Sequence, residues 1–574
     1  TLITPPMYSV HDKPLPLTPA LCLLDKRTYE VEVKVHISII ENGSLEDPCA
    51  GRVIAQTDVP YPIGKIPCMI NSKLCHLSGK SESEIMAMGS DPRDPLHLTL
   101  NIRRDTTDTK RTFHSINIFQ GIRLYIRLKA QQSGEDLGDL FRYQDPYEVE
   151  TLILSFVKEE NRSSVQNVLA DSILDALVDQ SEYEELIPLF TRNIIPVPSD
   201  EEIRSRMFHT LESSLLSHVD TQNTREKIYT ACMMAAILSE YVAGVREPSD
   251  KDSWTNKRLA TASKWCEQLF RGLWKNFVRD RLAPFVKKDN PEKLTIAAIV
   301  GSIKGDPIKE QFRTSFTSTI WGVGTINVKM RNPVQILQQS SFMMKLSSLN
   351  RIDVNIDRKT KIPKVRSIQA DQLGGVCAGE TTESYAVGIV KSKAITAQIT
   401  LPKDVTPVID ILRGELLLSV KGQVKTGGYI STDKVSAVEN LRKEIVLVNG
   451  TFQGWCNGKE TREALIEARR QNQIDRQTAV VLDENGYLNV HTDEGRIVRP
   501  LLIVDEDGEL VIEKKKMWHL VENVTFGESA ASQNNIETLF NEGCIEWIDL
   551  YEQIYLRVAA LPESLQQRRH MLEY

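Results

Sequence analysis

The spacing of apolar residues changes along this chain, and that change limits the class of fold. From Tyr29 to Ile39 apolar and polar residues alternate strictly, which predicts a half-buried strand, and Ile122 to Leu128 repeats the alternation. After Asp145-Pro146 the apolar residues recur every three or four positions. Val165 to Leu177 and Ile228 to Val242 are therefore predicted to be helices. A sheet-rich start is followed by a helical insertion.

The C-terminal part of the chain returns to strands. Glu484-Asn485-Gly486 and Glu506-Asp507-Gly508 predict hairpin turns inside a meander from Val480 to Ile512. A short basic helix is predicted from Arg462 to Arg470. A chain of 574 residues is too long for one core. The fold class predicted is therefore α+β, multidomain, with mixed sheets, a helical insertion and a β-rich C-terminal region.

Composition and motifs remove several classes of protein. No apolar run approaches the ~20 residues that a bilayer span requires, so a membrane protein is excluded. The nine cysteines are scattered, and no pair has the Cys-x-x-Cys spacing of a zinc or redox site. Metalloprotease, serine-hydrolase and phosphate-loop motifs are absent from the sequence. We therefore predict no catalytic and no metal-binding residues in this chain, and an intracellular location because the chain begins without a signal peptide.

One stretch has a charge opposite to that of the chain, whose net charge is −7. From Val328 to Arg366, hereafter the basic segment, nine lysines and arginines stand against two aspartates, a local net charge of +7. Such a patch can bind phosphates, because each neutralised phosphate releases counterions. Charge alone slightly favours the alternative, a solvated surface loop. Within the segment, Asn332-Pro333 predicts a helix start that leads into Ile336-Leu337.

Two phrases in and after the basic segment are specific enough to indicate a family. Leu346–Arg351 reads Leu-Ser-Ser-Leu-Asn-Arg, and Val376–Glu383 reads Val-Cys-Ala-Gly-Glu-Thr-Thr-Glu. They resemble Leu-Ser-His-Leu-Arg-Arg and Val-Cys-Pro-Ala-Glu-Thr-Pro-Glu in the fork region of the second-largest subunit of multi-subunit DNA-directed RNA polymerase, in its archaeal and eukaryotic branch. Shorter phrases resemble the same subunit in order along the chain: 26–30, 66–73, 252–259, 448–450, 492–496, 499–501 and 541–549.

The resemblance implies a division into named domains. They are the first protrusion segment 1–145, the lobe 146–250, the returning protrusion segment 251–319, the fork 320–393, external domain 1 at 394–504, external domain 2 at 505–549 and the start of a hybrid-binding region at 550–574. The sequence departs from the family at Gln369 and Gln372, where the family has histidines. Thr382 and Ser384 replace a proline and a glycine, which is expected to relax a rigid turn.

The resemblance also implies a function. The family joins nucleotides by attack of the RNA 3′ oxygen on an α-phosphate, assisted by Mg²⁺ that is held mainly by the largest subunit. This chain is expected to supply walls and guides instead, as the N-terminal half of a subunit whose other half contacts the nucleotide. Residues expected to contact nucleic acid are Gln335, Arg351, Arg358, Lys359, Lys361, Lys364 and Arg366, and those near the nucleotide route are Glu380 and Glu383. A salt bridge with neighbouring lysines is the alternative role for the two glutamates.

Several partners are implied in the same way. They are the largest polymerase subunit, the C-terminal half of the second-largest subunit, other polymerase subunits, the DNA template and the RNA–DNA hybrid, without a membrane. The location implied is the nucleus or cytoplasm, or a virion if the source is viral. Two alternatives are a non-catalytic assembly protein derived from that subunit and an independent nucleic-acid-binding module, which the acidic net charge disfavours.

Overall fold

The protein is described by a computed structural model. It describes 2–22, 29–41, 52–68, 74–88, 102–103, 118–133, 137–178, 204–219, 223–278, 301, 307–317, 334–413, 430–431, 444–520 and 529–559, with scattered positions inside these ranges left out. The chain divides into two compact units, each made of separate stretches. Unit 1 consists of Thr1–Thr109, Arg258–Ile368 and Val376–Ile395, and unit 2 of Lys110–Lys257, Gln369–Gly375 and Thr396–Tyr574.

Strands occur in both units. Within the described residues they are β1 Leu2–Thr4, β2 Met7–Val10, β3 Lys13–Pro16, β4 Glu30–Val35, β5 Ser38–Glu41, β6 Arg52–Gln56, β7 Tyr61–Pro67, β8 Ile102–Arg103, β9 Arg351–Asp353, β10 Val376–Thr381, β11 Val390–Lys393, β12 Gln398–Ile399, β13 Ile430–Ser431, β14 Glu444–Val448, β15 Thr451–Cys456, β16 Ala479–Leu482, β17 Tyr487–His491, β18 Ile497–Leu502 and β19 Ile545–Asp549.

Helices separate these groups of strands. The described α-helices are α1 Ile118–Ser133, α2 Pro146–Ser155, α3 Arg162–Val178, α4 Thr224–Val242, α5 Ala262–Phe277, α6 Pro307–Thr317, α7 Phe342–Leu349, α8 Pro363–Arg366, α9 Thr406–Arg413, α10 Gly458–Arg470, α11 Val511–Lys514, α12 Ser529–Asn541 and α13 Leu550–Ile554. None of the helices among the described residues combines the length and the apolar composition needed to cross a bilayer. The mixture of helices and sheets confirms the predicted α+β, multidomain class.

Unit 1 begins with an antiparallel sheet in the order β1-β4-β7. Val31 and Val33 of β4 are buried, and the charged residues that alternate with them, Glu30, Glu32 and Lys34, are half-exposed, as the alternation predicted. Val31 lies opposite Ile66 of β7, and α6 packs against β7. The alternating stretch from Tyr29 to Ile39 is not one strand, however. It forms β4 and the start of β5, which pairs with β6 in a separate sheet.

A second sheet of unit 1, in the order β10-β11-β9-β8, joins distant parts of the chain. Ile352 of β9 lies opposite Lys391 of β11 in an antiparallel pair. On its other side β9 runs parallel to β8, where Ile102 is the partner of Ile352. The pairing of β10 with β11 shifts register between Val376 and Thr381. This sheet contains one of the predicted nucleic-acid residues and one of the two predicted glutamates.

Unit 2 contains a helical layer and a five-stranded sheet that share one apolar core. The sheet order is β13-β15-β14-β17-β16, with β14 and β17 parallel and the other pairs antiparallel. Phe452 of β15 lies at the centre of this core. Its ring centroid is 5.1 Å from that of Phe156, 5.7 Å from that of Tyr229 and 4.8 Å from that of Trp455. The Phe452 backbone N–H donates to Thr230 Oγ1 at 3.2 Å. One core therefore includes helices and strands that are far apart in sequence.

The predicted helices of unit 2 and the hairpin at Gly486 are confirmed where they are described. The second predicted turn is closed only by an isolated bridge between Val504 and Leu510, and α11 follows it, so the meander predicted to reach Ile512 is wrong there. Asp145 caps α2 by accepting from the Tyr147 N–H at 3.1 Å, and Pro146 occupies the first turn. The helices predicted from the three-to-four spacing are α3 and α4, and α10 covers the predicted basic helix. Gly486 has φ +86° in the turn between β16 and β17, and Gly508 has φ +79° in the second predicted turn.

The strand predicted from Ile122 to Leu128 is wrong, because these residues lie within α1. Leu124 and Leu128 are buried on one side of this helix, and Ile122 and Ile126 are buried on another. A helix that is covered over most of its surface needs apolar residues on several faces. Four of them happened to fall at alternate positions, which imitates the period of a strand.

The helix start predicted at Asn332-Pro333 lies outside the described residues, and the helix expected to follow it does not include Ile336-Leu337. Those two residues have no regular secondary structure. The helix in this region is α7, which begins at Phe342 because Ser341 Oγ accepts a hydrogen bond from the Met344 N–H at 3.2 Å. A serine cap one residue before the apolar run therefore replaces the asparagine cap that the sequence suggested.

A buried ion network in unit 2 joins α10 to β19 and α13. Arg469 donates to both carboxylate oxygens of Glu552, at 2.8 and 3.0 Å, and to Glu546 at 3.1 Å. Burial would lower the pKa of Arg469, but the two carboxylates raise it above its ordinary value, so the guanidinium stays charged. Burial opposes ionisation of Glu546, but hydrogen bonding to Arg470 and the charge of Arg469 outweigh it. The pKa of Glu546 therefore lies below its usual range.

Candidate nucleic-acid interface

The described part of the basic segment follows a path through four elements of unit 1. Gln335 is exposed in the stretch before α7, and Arg351 is the half-buried first residue of β9. Lys359 and Lys361 are exposed in the connection from β9 to α8. Lys364 is exposed on α8. Arg358 lies outside the described residues, so its contribution to this surface stays a prediction.

Arg366, the last residue of α8, holds a neighbouring loop. Its Nη1 atom donates to the Tyr385 carbonyl at 2.9 Å and to the Val387 carbonyl at 2.8 Å. Both carbonyls belong to the connection Glu383–Gly388 between β10 and β11, hereafter the Tyr385 loop. The sequence predicted that Arg366 contacts nucleic acid. The two bonds use only Nη1 of a guanidinium that has five N–H donors, so Arg366 positions the loop and its contact with nucleic acid stays a prediction.

The Tyr385 loop is also held from the strand side. Thr381 Oγ1 accepts from the Gly388 N–H at 2.9 Å and donates to the Val390 carbonyl at 2.8 Å. Ser384 has φ +65°, a left-handed conformation that glycine adopts without strain. Replacement of the family's glycine by Ser384 was expected to relax this turn. The turn keeps a left-handed residue at that position and remains closed by side-chain hydrogen bonds.

The two glutamates predicted near the nucleotide route differ in their contacts. Glu380 on β10 accepts a hydrogen bond from Ser347 Oγ of α7 at 2.6 Å, which links the two phrases that suggested the family. Glu383 is exposed at the start of the Tyr385 loop. Neither residue has a lysine or arginine partner among the ion pairs of the described residues. The contact of Glu380 is therefore with a serine, instead of the lysine that the alternative role required.

Two residues near the site were missed in the sequence. Lys391 of β11 is buried, and its Nζ donates to the Ser367 carbonyl at 3.1 Å, so it supports the end of α8. Its position directly after the apolar pair Ile389-Val390 was a usable signal, since a buried lysine needs a partner. Burial also lowers the pKa of the neighbouring Lys393. Tyr385, whose side chain is 75% exposed, was overlooked because it sits in a turn.

Gly388 is the position at which the Tyr385 loop is most easily broken. It has φ +71°, and a Cβ atom there would lie 2.3 Å from the Arg366 carbonyl oxygen. We expect Gly388→Ala to destabilise unit 1 by roughly 2–4 kcal/mol, because both the backbone conformation and the contact with α8 must change. Local opening measured by hydrogen–deuterium exchange of peptides from 376–393 checks this.

Gly379 supplies the matched control for that substitution. It lies in β10 of the same sheet, and a Cβ atom built there meets nothing within 4 Å. Gly379→Ala should leave exchange in 376–393 close to that of the unaltered chain. Equal effects of the two alanines would contradict the close approach of Gly388 to α8.

The segment Gln369–Gly375 belongs to unit 2. There it contacts Ser253 and Trp254, which lie in another phrase that resembles the family. Asp371 Oδ2 accepts from the Trp254 N–H at 2.6 Å and from Ser253 Oγ at 2.5 Å. Gln372, at one of the two family histidine positions, is buried. The resemblance at 252–259 and the resemblance around 369–372 are therefore parts of one local structure.

A metal-binding site was tested on the donor atoms present. Within the described residues, no group of three or more histidine, cysteine, aspartate or glutamate side chains is arranged to hold an ion. Glu380 and Glu383 do not form such a group with a third donor.

Comparison with known proteins gives the family. Three sequence models match in order: "RNA polymerase beta subunit" over residues 1–95, "RNA polymerase Rpb2, domain 3" over 335–399 and "RNA polymerase Rpb2, domain 4" over 446–505. The chain is 26% identical to DNA-directed RNA polymerase II subunit RPB2 of Schizosaccharomyces pombe, over 89% of this chain and 45% of the relative. It is 25% identical to DNA-directed RNA polymerase subunit Rpo2 of Sulfolobus acidocaldarius, over 96% and 49%.

A third relative is matched over most of its own length. The chain is 24% identical to DNA-directed RNA polymerase subunit Rpo2N of Methanocaldococcus jannaschii, over 69% of this chain and 84% of the relative. The chain spans about half the length of the first two relatives. The protein is thus a homologue of the subunits of DNA-directed RNA polymerase, a nucleotidyltransferase complex. Its matched segments correspond to the N-terminal region of second-largest, beta-type subunits.

Proposed function

We propose that this chain is the N-terminal portion of the second-largest subunit of a DNA-directed RNA polymerase, and that it helps form the DNA cleft, the downstream fork and the hybrid channel. One observation carries the proposal. The exposed lysines of the basic segment lie inside the stretch that matches domain 3 of the family, and domains before and after it match in the same order. If the basic segment were only a solvated surface loop, the ordered matches before and after it would have no explanation.

The basic segment would act through phosphate contacts. Arg351, Arg358 and Lys359 would lie beside the downstream DNA fork, and Lys361 and Lys364 would also contact nucleic acid. Their attraction to phosphates positions strands without reading bases. Gln335 would face the RNA–DNA hybrid. Arg366 would contribute by holding the Tyr385 loop, in which Glu383 is exposed beside the nucleotide route. Glu380 would be fixed near that route by Ser347.

The chemistry of nucleotide addition would lie elsewhere in the complex. Mg²⁺, held mainly by the largest subunit, would neutralise developing charge on the transferred phosphate. This chain would orient the nucleic acid and support its neighbours. Its partners would be the largest subunit, a C-terminal half of the second-largest subunit, other polymerase subunits, the DNA template and the hybrid, inside the nucleus or cytoplasm. The 84% coverage of Rpo2N supports a separate C-terminal half.

Association tests this function. The tagged full chain, purified from its source, is expected to co-elute with a largest subunit and with a polypeptide that supplies the C-terminal half, as identified by mass spectrometry. The purified set should make RNA from a DNA template, and omission of this chain should abolish the product. A stable monomer without such partners would contradict the proposal and favour the non-catalytic alternative.

A further inference from the structure

Tyr385 is unusual in being both highly exposed and attached to a firmly held backbone. Its side chain is 75% exposed, yet its own carbonyl accepts from Arg366 at 2.9 Å. The carbonyl of Val387, two residues later, accepts from the same nitrogen atom of Arg366. Within the loop, the Val387 N–H donates to the Ser384 carbonyl at 3.2 Å. The ring therefore projects from a backbone whose conformation is already fixed.

Such a ring can bind a flat partner at low entropic cost. Fixing a side chain of two torsion angles costs less free energy than ordering a loop, so a clamped backbone improves affinity for whatever the ring contacts. The backbone strain at Ser384 points in the same direction, because φ +65° at a non-glycine residue persists only where surrounding contacts maintain it. The hydroxyl of Thr381 and the guanidinium of Arg366 provide those contacts.

The residues around the loop combine positive charge with exposed apolar surface. Lys361 and Lys364 are exposed on or next to α8, the helix whose Arg366 grips the loop. Ile368, which follows α8, is 57% exposed. An aromatic ring on a loop that is bonded to a basic helix matches a nucleic-acid strand with unpaired bases, in which phosphates and flat base faces alternate. A duplex hides those faces, so the ring adds nothing there beyond the lysines.

We propose that Tyr385 is a stacking platform for an unpaired base of a single-stranded nucleic acid whose phosphates are held by Lys361 and Lys364. The proposal rests on the proposed function and adds to it the kind of strand and the part of the nucleotide that this loop recognises. Arg366 and Thr381 hold the ring in position, and the bases are bound without regard to sequence because every base has a face.

Two oligonucleotides of equal length separate stacking from charge. The full chain is titrated with fluorescein-labelled oligo(dT) and with an oligonucleotide made of abasic sites, which has the same phosphates and no bases. Tyr385→Ala should weaken oligo(dT) binding roughly tenfold and leave abasic binding unchanged, whereas Tyr385→Phe should stay within about twofold of the unaltered chain. A 2-aminopurine base in the strand should lose fluorescence on binding, and Tyr385→Ala should remove that quenching.

Tyr241→Ala is the matched control, because Tyr241 is 50% exposed on α4 of unit 2 and should change neither affinity. Equal losses on the two oligonucleotides, or no loss, would overturn the proposal, and so would failure of the unaltered chain to bind oligo(dT) at low salt. Lower recovery of polymerase subunits with Tyr385→Ala, at unchanged oligo(dT) affinity, would assign the ring to a protein contact instead. The association experiment tests the proposed function separately.

Discussion

Reversing three charges of the basic segment together, Arg351→Glu, Arg358→Glu and Lys359→Glu, is expected to lower RNA synthesis by the assembled polymerase roughly 100-fold at about 0.15 M salt. When a phosphate contact is lost, fewer counterions are released on binding. Loss of three contacts should therefore reduce the slope of the logarithm of the binding constant against the logarithm of the salt concentration by about 3. Elongation on a preformed template and open-complex lifetime at several salt concentrations measure both effects. We expect assembly of the subunits to be unaffected.

The matched control reverses three exposed basic residues outside the segment, Arg127, Lys158 and Lys459. It changes the net charge of the chain by the same amount, so a general electrostatic effect would appear in both variants. We expect the control to keep most of the activity and the original salt dependence. Unchanged RNA synthesis in the segment variant would remove Arg351, Arg358 and Lys359 from the interface.

Arg469→Ala is expected to cost unit 2 about 3–5 kcal/mol, because it leaves the Glu552 carboxylate buried without a guanidinium and leaves Glu546 with Arg470 alone. Glu552 is almost completely buried, so water cannot replace the lost bonds. Hydrogen–deuterium exchange of peptides from 545–554 reports the local free energy of opening, which is preferable to a global midpoint in a chain of several domains.

Two further variants identify the source of that loss. Arg470 also bonds Glu546, but its side chain is 37% exposed, so Arg470→Ala should cost under about 1 kcal/mol. Replacing the pair by Arg469→Met with Glu552→Leu should recover much of the stability, because no buried charge is then stranded. A loss of less than about 1 kcal/mol in Arg469→Ala would show that the network contributes little.

The two carboxylates of the network have opposite pH dependences, because burial raises the pKa of Glu552 above its ordinary value. The pKa of Glu546 is lower in the folded protein than its ordinary value. The unfolded chain therefore takes up a proton first as the pH falls, and the stability contributed by this carboxylate is full at neutral pH. That contribution is lost as the pH falls through the ordinary glutamate range toward the folded pKa. Glu552 changes stability in the opposite direction, so the Glu546 part is measured by comparison with Arg470→Ala. After correction for the chemical exchange rate, the unaltered chain should lose more protection in 545–554 than Arg470→Ala as the pH falls through this range.

Local patterns predicted local structure well in this chain. The alternation around Val31 and Val33, the cap at Asp145 and the glycine of the Gly486 turn each depend on residues within a few positions. α1 was missed because burial on several faces removes the helical period from the sequence. The pairing of Ile102 with Ile352 could not be predicted either, since no local period encodes which distant strand will be adjacent.

At the candidate site, too, local features could be predicted from the sequence and contacts between distant residues could not. Charge counting located the basic segment, and resemblance named the residues that would contact nucleic acid. Neither revealed that Arg366 binds the backbone of the Tyr385 loop, because a guanidinium that holds carbonyls and one that holds phosphates look alike in a sequence. The replacement of the family's glycine by Ser384 likewise suggested a less rigid turn, whereas the backbone of Ser384 keeps the left-handed conformation.

The aromatic core of unit 2 has a consequence for synthesis of the protein. Thr230 and its hydrogen-bond partner Phe452 are separated by 222 positions. At typical translation rates, the ribosome needs roughly 10–40 s to make that interval. During this time the apolar side of the helical layer around Tyr229 has been made, and the strand that covers it has not. The nascent chain is therefore expected to depend on chaperones, and slow translation between these residues should increase its aggregation.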